Sequence, residues 1–433
     1  MLFNIFYMIN KKKYKFIYPS LLLLSNEKYK VNTNSWFDIL KSKNTEIENK
    51  KEEINVSEKF INSLKIKLSF EENHIIKLKK NLDGCTNIYN FANEYIKKNV
   101  TNENFKEEVN FYKLRKILKD KIKKICKEYE LNKHTGDYAV KHCIEMYKSA
   151  FSNHKDINKF EIKNLEHSRR RKNMVIEPTS LKVKNKGSIY FSFLKSEIKG
   201  SVEIEKINKN SLLQYDSIKK IFWLIVPYDD EINKIYEKNE KCGIDIGIRT
   251  FLTTYSPERS YEIGTKEKTY KNIDMYNKKI DSIKSRYEKK EINKKSYENG
   301  LVKYYDRIRN KINDMHSKVA NFLLGKYKTI LIGKVSTKNM VSIEGDMYKK
   351  TKRRLNALSH YRFRTKLINM SKKFGTEIKL VSEYMTSKTC HNCLEINRDL
   401  GFSKIFKCKK CKINIDRDVN ASINIYKDIK LKK

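Results

Sequence analysis

The spacing of apolar and charged residues gives the chain two halves of different character. After Ser63, residues 64–68 alternate apolar and basic side chains, which is typical of a half-exposed strand, and a helical pattern begins near Glu71. Two further helix patterns and two β-type runs follow, at residues 112–127, 137–153, 188–193 and 220–226. This half is predicted to combine helices with a small β-barrel or sheet.

Beyond a charged linker near residues 230–239, predicted strands alternate with long helices. The predicted elements are a strand–turn–strand at 241–255, charged helices over 266–324, a buried strand at 329–335, a helix at 359–374, a strand at 377–383 and a last helix from Val419. The run Ile330–Ile332 is apolar throughout, as in a strand covered on both faces. Strands alternating with helices predict an α/β domain, so the whole chain is predicted to be multidomain α+β.

The first 60 residues are polar, rich in lysine and asparagine, and weakly periodic apart from a possible anchor at residues 35–37. We expect residues 1–60 to form a loosely ordered arm. No run approaches the roughly 18 apolar residues that span a bilayer, and no secretory signal is recognisable. The sequence therefore predicts a soluble, intracellular protein with no membrane partner.

The charge balance of the 433 residues points to a polyanionic partner. Lys and Arg number 94 against 52 Asp and Glu, a net charge of +42, while 39% hydrophobic and 11% aromatic residues are too many for a disordered basic tail. Nucleic acid is the expected partner. The candidate phosphate contacts are Lys116, Lys119, Lys123, Arg169, Arg170, Arg171 and Arg417. The lysines could instead form a solvated helix face, the arginine run could be a nuclear-import signal, and Arg417 could pair with Asp416.

Four of the eight cysteines form two C-x2-C pairs, and the other four are scattered as expected for buried thiols. The pairs are Cys390 with Cys393 and Cys408 with Cys411. Four thiolates in two paired knuckles favour one structural zinc ion in a closed tetrahedral site, while an iron–sulfur cluster suits a basic, DNA-facing segment less well. Neither pair is followed by the usual glycine, because Leu394 and Lys412 occupy those positions.

Two carboxylates stand in positions that suit a metal. Asp245 interrupts an apolar strand, where a charge is costly unless it is paired or binds a metal, and Asp418 lies at the start of the last helix. A carboxylate in the second position could equally cap that helix. Two-metal phosphodiester hydrolysis needs converging carboxylates from separate elements, so a third ligand is expected between these two.

These motifs resemble those of one known family. The order GIDIG (243–247), the cysteine pairs with a preceding TSKTC block (386–390), and DRDVNAS (416–422) resembles the TnpB proteins of bacterial transposons and their eukaryotic and viral relatives, the Fanzor proteins. The resemblance implies a RuvC-type, RNase H-like nuclease domain at 240–385 and 413–433, with a zinc ribbon inserted at 386–412. It also implies that residues 61–235 form a recognition domain, with a wedge-like barrel, for guide RNA and target DNA.

The chain departs from the TnpB pattern at the middle carboxylate. TnpB normally carries a Glu at the end of the buried second strand, where this chain has Gly333, and that change alone predicts an inactive nuclease. The second, smaller type of Fanzor protein resembles this chain in carrying its Glu just before the TSKTC block, where Glu383 stands. The resemblance therefore implies that Asp245, Glu383 and Asp418 bind two Mg²⁺ ions and form the catalytic set, with Glu344 as the alternative third ligand.

The function implied is an RNA-guided DNA endonuclease. It would use a guide RNA encoded by its own mobile element, act on double-stranded target DNA as a monomer in a ribonucleoprotein, and work in the host nucleus. Two alternatives stay open: an inactive RNA- and DNA-binding protein of the same fold, which Gly333 favours and Glu383 opposes, and a guide-free RuvC-like nuclease of branched DNA. The guide-free nuclease would not need a basic amino-terminal half.

Overall fold

The computed structural model describes residues 22–24, 60–184, 187–230, 238–334, 348–401 and 403–428. The chain forms two compact units, residues 59–230 and residues 231–433 together with 1–58. The possible anchor at 35–37 and the alternative ligand Glu344 lie outside the described residues. Within the predicted amino-terminal arm, residues 22–24 form a strand.

Helices in the first unit form where the apolar spacing predicted them, with one further short helix at residues 105–108. They are α1 (Glu72–Asn99), α2 (Phe105–Glu108), α3 (Phe111–Ile117), α4 (Lys119–Glu128) and α5 (Lys133–His154). The side chains of Asn110 and Asn132 accept hydrogen bonds from the first amide groups of α3 and α5, so each helix begins at a residue suited to that position.

The helix predicted over residues 112–127 is interrupted. α3 ends and α4 begins around Leu118, whose φ of −90° and ψ of 6° lie in the bridge region between helix and strand. Leu114, Leu118 and Ile122 are buried, whereas Ile117 is exposed. Because of this interruption, Leu114, Leu118 and Ile122 face the core and Ile117 does not.

The strands of the first unit form two open sheets. Those sheets contain β2 (Phe60–Leu68), β3 (Arg171–Ile176), β4 (Leu181–Val183), β5 (Ser188–Phe191), β6 (Ser196–Lys199), β7 (Ser211–Asp216) and β8 (Ile221–Asp230). Their orders are β2-β8-β7-β3 and β4-β5-β6, with all neighbours antiparallel. The predicted barrel is therefore not closed by strand pairing among the described residues; one isolated bridge, Leu68 to Gly200, links the two sheets.

The second unit is built on one six-stranded sheet of order β1-β11-β10-β9-β12-β13. Its strands are β1 (Leu22–Leu24), β9 (Asn239–Ile246), β10 (Thr250–Tyr255), β11 (Ser260–Thr265), β12 (Tyr327–Gly333) and β13 (Glu377–Val381). The strands β9, β12 and β13 run parallel, and β1, β11, β10 and β9 pair antiparallel. Helices lie between the parallel strands along the chain, as the predicted α/β pattern requires.

Helices cover both faces of this sheet. They are α6 (Lys266–Glu288), α7 (Lys294–Lys326), α8 (Lys349–Leu358), α9 (His360–Phe374) and α10 (Arg417–Tyr426). The core beside α6–α9 contains Ile330 and Ile332 of β12, whereas Leu331 belongs to a separate cluster with Ile425 of α10. Successive residues of β12 therefore face opposite layers. No helix in the described part of the chain is long and apolar enough to span a membrane.

Candidate active site

A close contact between α10 and β9 sets the geometry of the site. A Cβ atom built on Gly243 would collide with backbone atoms of Ser422 and Tyr426. Only glycine permits this approach, which explains the first residue of the GIDIG motif. The start of α10 is thereby held against the strand that carries Asp245.

The two carboxylates at the start of α10 have different surroundings. The side chain of Asp416 accepts hydrogen bonds from the amide groups of Asp418 and Val419, at 2.8 and 3.3 Å. Asp416 therefore caps the helix, in the role that the sequence left open for a carboxylate at this end. The carboxylate of Asp418 does not perform this capping function.

Strand register brings Asp245 level with the end of β12. Ile244 pairs with Ile332 across the parallel β9–β12 ladder, so Asp245 and Gly333 are the next residues along their strands. Because Ile244 and Ile246 belong to the core beside α6–α9, Asp245 faces the layer of α10.

The carboxyl group of Glu383 occupies the space above Gly333. A Cβ atom built on Gly333 would fall on the Cγ, Cδ and Oε1 atoms of Glu383. The segment after β13 thus carries a carboxyl group to the position where a side chain on Gly333 would begin. The Oε1 atom is buried and has no hydrogen-bond partner among the residues that the structure describes.

Arg364 of α9 lies beside this carboxyl group, and no sequence motif had singled it out. Its guanidinium donates a hydrogen bond to the carbonyl oxygen of Gly333 at 3.2 Å. The positive charge of Arg364 also opposes the effect of burial on the pKa of Glu383. A contact between residues 31 positions apart has no local pattern from which it could be predicted.

The pKa values of the three predicted ligands are all raised. Burial, reinforced by the charges of Asp418 and Glu383, raises the pKa of Asp245 well above its ordinary value. Burial also raises the pKa of Glu383 to about 7, and burial together with Asp416 raises the pKa of Asp418, against the opposing charges of Arg249 and Arg417. Neighbouring acids that resist ionisation are typical of a site that requires cations.

A fourth acidic residue, Glu262, lies within electrostatic range. Thr253 of β10 pairs with Asp245 on one side and with Glu262 of β11 on the other, so all three share one face of the sheet. Burial raises the pKa of Glu262, with further contributions from Asp416 and Asp418 and an opposing one from Lys404. No motif had singled out Glu262, because its link to the site depends on strand order.

These residues fit Mg²⁺ chemically. Magnesium prefers carboxylate oxygens, and the site offers them from β9, from the segment after β13 and from the start of α10. The buried Oε1 of Glu383, which no described residue contacts through a hydrogen bond, is the kind of acceptor that a bound ion satisfies. Asp245, Glu383 and Asp418 are therefore suited to hold divalent cations.

The four paired cysteines converge on one point. Their sulfur atoms all lie within 4.8 Å of one another, with 3.5 Å between the sulfurs of Cys390 and Cys411 and 3.4 Å between those of Cys393 and Cys408. Four sulfurs at 2.3 Å from a tetrahedral zinc ion would be about 3.8 Å apart. The cluster fits one structural zinc ion.

The two missing knuckle glycines are replaced by residues in the same left-handed conformation. Leu394 has φ of 61° and Lys412 has φ of 60°. Each knuckle is closed by a backbone hydrogen bond: Leu394 donates to the carbonyl of Cys390, and Cys408 donates to the carbonyl of Ile413. The knuckle shape is therefore retained without glycine, at a cost of roughly 1–2 kcal/mol per residue.

Two buried asparagines of α10 tie the TSKTC block to the helix. Asn420 and Asn424, one turn apart, both donate to the carbonyl of Thr389 at 2.7 Å. The Oδ1 atom of Asn420 accepts from the amide of His391 at 3.0 Å. Sequence analysis included Asn420 only as part of the DRDVNAS motif and did not single out Asn424; the structure gives both a positioning role.

The segment that carries the four paired cysteines is also joined to the first residues of α10. Two short strands, β14 (Ile405–Lys407) and β15 (Asn414–Asp416), pair antiparallel, and β15 continues directly into α10. Arg417, a predicted phosphate contact, donates to the carbonyl of Gly401 at 2.9 Å and to the hydroxyl of Ser387 at 3.3 Å. Asp416, which the sequence offered as the alternative partner of Arg417, is paired with Lys404 at 3.5 Å.

The other predicted phosphate contacts lie in the first unit. Lys116, Lys119 and Lys123 are exposed on α3 and α4. Arg170 is paired with the carboxylate of Asp216, at 2.8–3.1 Å.

Its neighbours in the basic run also have partners within the fold. Arg169 donates to the hydroxyl of Thr86 and to the backbone carbonyl of Arg171, both at 3.1 Å. Nε of Arg171 lies 3.8 Å from the carboxylate of Asp216. Part of the basic run therefore serves the fold of this unit.

Two segments of the chain match known family models. Residues 225–344 match a family model described as a probable transposase, and residues 360–425 match the TNB domain of Cas12f1-like proteins. The TnpB-like protein L770 of Acanthamoeba polyphaga mimivirus is 35% identical over 407 residues, which are 89% of this chain and 76% of that protein.

Similarity extends more weakly to a CRISPR-associated protein. The endodeoxyribonuclease Cas12f1 of an uncultured archaeon is 23% identical, over 69% of this chain and 59% of its own length. A cryo-EM structure of a Cas12f1–sgRNA–target DNA complex aligns with 18% identity over 85% of this chain and 99% of the solved chain, with a TM-score of 0.33.

Proposed function

Because this chain belongs to the TnpB-like protein family, we propose that it is an RNA-guided DNA endonuclease of the Fanzor type. Its guide RNA is encoded by its own mobile element, and its site of action is the host nucleus. It acts as a monomer in a ribonucleoprotein and cleaves double-stranded target DNA.

The observation that carries this proposal is the position of Glu383. Its carboxyl group fills the space above Gly333, and its charge acts on Asp245 together with that of Asp418. The loss of a carboxylate at residue 333 is thereby compensated by one from the segment after β13. An inactive protein would have no reason to retain three partly buried carboxylates whose charges destabilise one another.

In this proposal Asp245, Glu383 and Asp418 hold two Mg²⁺ ions. The bound ions supply activation of a water molecule and stabilisation of the departing 3′ oxygen. No protein side chain is then required as general base. Arg364 keeps the end of β12 and the carboxyl group of Glu383 in register through its hydrogen bond to Gly333.

The remaining parts have supporting roles. The zinc ribbon guides the single strand towards the carboxylates, and its exposed Lys409, Lys410 and Lys412 supply positive charge. The first unit holds the guide RNA and its heteroduplex with DNA through shape and backbone contacts, as in other RNA-guided nucleases. The exposed lysines of α3 and α4 suit such contacts.

The test is to purify the full chain from cells that also express the flanking non-coding DNA, to sequence any bound RNA, and to assay Mg²⁺-dependent cleavage. Glu383→Ala is compared with Glu377→Ala, which removes an exposed carboxylate from the same strand region. We expect a discrete RNA with all three proteins, and cleavage lost only in Glu383→Ala.

Other results would point elsewhere. Bound RNA without cleavage by any of the proteins would indicate an inactive binding protein, and cleavage of branched DNA without RNA would indicate a guide-free nuclease. Cleavage that survives Glu383→Ala would assign the third ligand to another residue, with Glu344 the first to test.

A further inference from the structure

An exposed aromatic ring lies on α9 close to the carboxylates. The side chain of Tyr361 is 65% exposed, although its helix is firmly anchored by the fully buried Phe363 and Leu367. A tyrosine so exposed contributes little to the core, and a rigid helix presents it in one position.

Arg364 connects this ring to the site. Its guanidinium carbon lies 5.8 Å from the centroid of the Tyr361 ring, and the same guanidinium donates to the carbonyl of Gly333. At Gly333, the carboxyl group of Glu383 occupies the position that a Cβ atom would take. One side chain therefore separates the Tyr361 ring from the end of β12 that supports the site.

The segment carrying Glu383 offers a second ring. Tyr384 follows Glu383 directly and is 45% exposed. Two exposed rings near a group of metal-binding carboxylates, with arginine charge between helix and strand, combine the features that bind single-stranded nucleic acid without sequence preference.

We propose that Tyr361 is a stacking platform for a nucleobase of the DNA strand that is being cut. The inference rests on the proposed function and adds a positioning residue to it. The contact with Arg364 holds the ring in place, and one face of the ring receives the base. Stacking fixes the register of the strand so that a phosphate lies at the carboxylates, and it accepts any base because every base has a π-face.

A cross-linking experiment tests the contact separately from cleavage. The full chain carrying Asp245→Ala is mixed with short single-stranded DNA containing 5-iodouracil, irradiated, and mapped by mass spectrometry. We expect a cross-link at Tyr361 that is lost with Tyr361→Ala and unaffected by Tyr305→Ala, a control at a tyrosine of α7 that is 42% exposed. Cross-links that never include Tyr361 would overturn the proposal.

Cleavage by the protein with intact carboxylates gives a second test. Tyr361→Ala should lower kcat/KM roughly 5- to 100-fold, because the strand binds more weakly and out of register, and Tyr361→Phe should behave like the unchanged protein. Unchanged kcat/KM in Tyr361→Ala, or failure of Tyr361→Phe to retain activity, would contradict a stacking role. If no protein cleaves, the proposed function fails, and the cross-link alone decides the stacking role.

Discussion

The carboxyl group of Glu383 lies where a side chain on Gly333 would begin, so the two positions cannot both carry a side chain in this arrangement. The glycine that suggested an inactive nuclease is the condition that lets the glutamate enter. The end of β12 and the segment after β13 are thus alternative sources of one carboxylate. Arg364 contacts this position through the Gly333 carbonyl, so it can support a carboxylate from either source.

This relationship predicts the effect of a small change at Gly333. Gly333→Ala should displace Glu383 and reduce cleavage by more than about 100-fold, since even outer-shell changes at metal sites cost roughly 10- to 100-fold. RNA binding should be unchanged. The double variant Gly333→Glu with Glu383→Ala should recover part of the activity, because it returns a carboxylate to β12. Cleavage rates of these two variants and of Glu383→Ala measure this, and full activity of Gly333→Ala would contradict it.

Gly243→Ala should separate α10 from β9. The added methyl group would meet backbone atoms of Ser422 and Tyr426, and overpacking of this kind costs about 1–3 kcal/mol. We expect a lower free energy of unfolding for the second unit and weaker cleavage, because Asp418 moves with α10. Chemical denaturation and a cleavage assay measure the two effects. Unchanged values in both would mean that α10 does not depend on this contact.

Removal of zinc should abolish cleavage for two reasons. The ribbon loses its fold, and Asp418 loses the support that the ribbon gives to the start of α10. Structural zinc contributes about 10–16 kcal/mol of apparent binding free energy in small zinc-dependent folds. Cys393→Ser should lower the zinc content and inactivate the protein, whereas Cys126→Ser, in the first unit, should leave zinc content unchanged. Metal analysis by mass spectrometry beside activity gives the answer. Full activity after complete loss of zinc would mean that the position of Asp418 on α10 does not depend on the ribbon.

The buried His316 should make the second unit sensitive to acid. Burial lowers the pKa of His316 to about 4 from an ordinary value of 6.5, so the unfolded chain binds the proton more tightly than the folded one. Its contribution to stability is therefore complete above pH 6.5 and falls as the pH drops towards 4, by roughly 3 kcal/mol in all.

The matched variant is His316→Gln, which can still donate to the carbonyl of Leu358 but does not titrate. Thermal denaturation between pH 7.5 and 4.5 should have a smaller pH dependence for this variant than for the unchanged protein. Equal slopes would assign the acid sensitivity to other groups.

The exposed lysines of α3 and α4 should contribute affinity for nucleic acid without contributing to stability. Replacing Lys116, Lys119 and Lys123 with Gln should reduce the slope of log affinity against log salt by about 2 to 3 units if each contacts one phosphate. The same three changes to Arg keep the charge and should keep the slope. A salt titration of nucleic-acid binding measures this, and an unchanged slope for the Gln variant would leave these lysines as a solvated face.

Periodic burial made most elements predictable from sequence. β9, β10, β12 and the long helices α6 and α7 lie where the apolar spacing predicted them, because each presents a regular face to one core. The interruption at Leu118 has no such signal, since Ile117 and Leu118 suit a continuous helix equally well. Closure of a barrel depends on pairing between distant strands, which short alternating runs do not encode.

The site was predictable in its residue types and less so in its contacts. Asp245 and Asp418 stand out because a charge interrupts an apolar pattern or begins a helix. Which of Asp416 and Asp418 caps α10 depends on which carboxylate oxygen reaches the first amide groups, and only the structure determines this. Glu262 and Arg364 reach the site through strand order and helix packing, so sequence spacing did not indicate them.

The direct passage of β15 into α10 has a consequence for engineering smaller versions of this protein. The ribbon at 386–412 resembles an appendage that could be trimmed, yet its strand β14 pairs with β15, which ends at the cap of α10. Its amino-terminal flank is fastened to the same helix by Asn420 and Asn424. A deletion of residues 386–412 would remove the anchor of Asp418, so size can be reduced more safely at the exposed tip of the α6–α7 hairpin than at the ribbon.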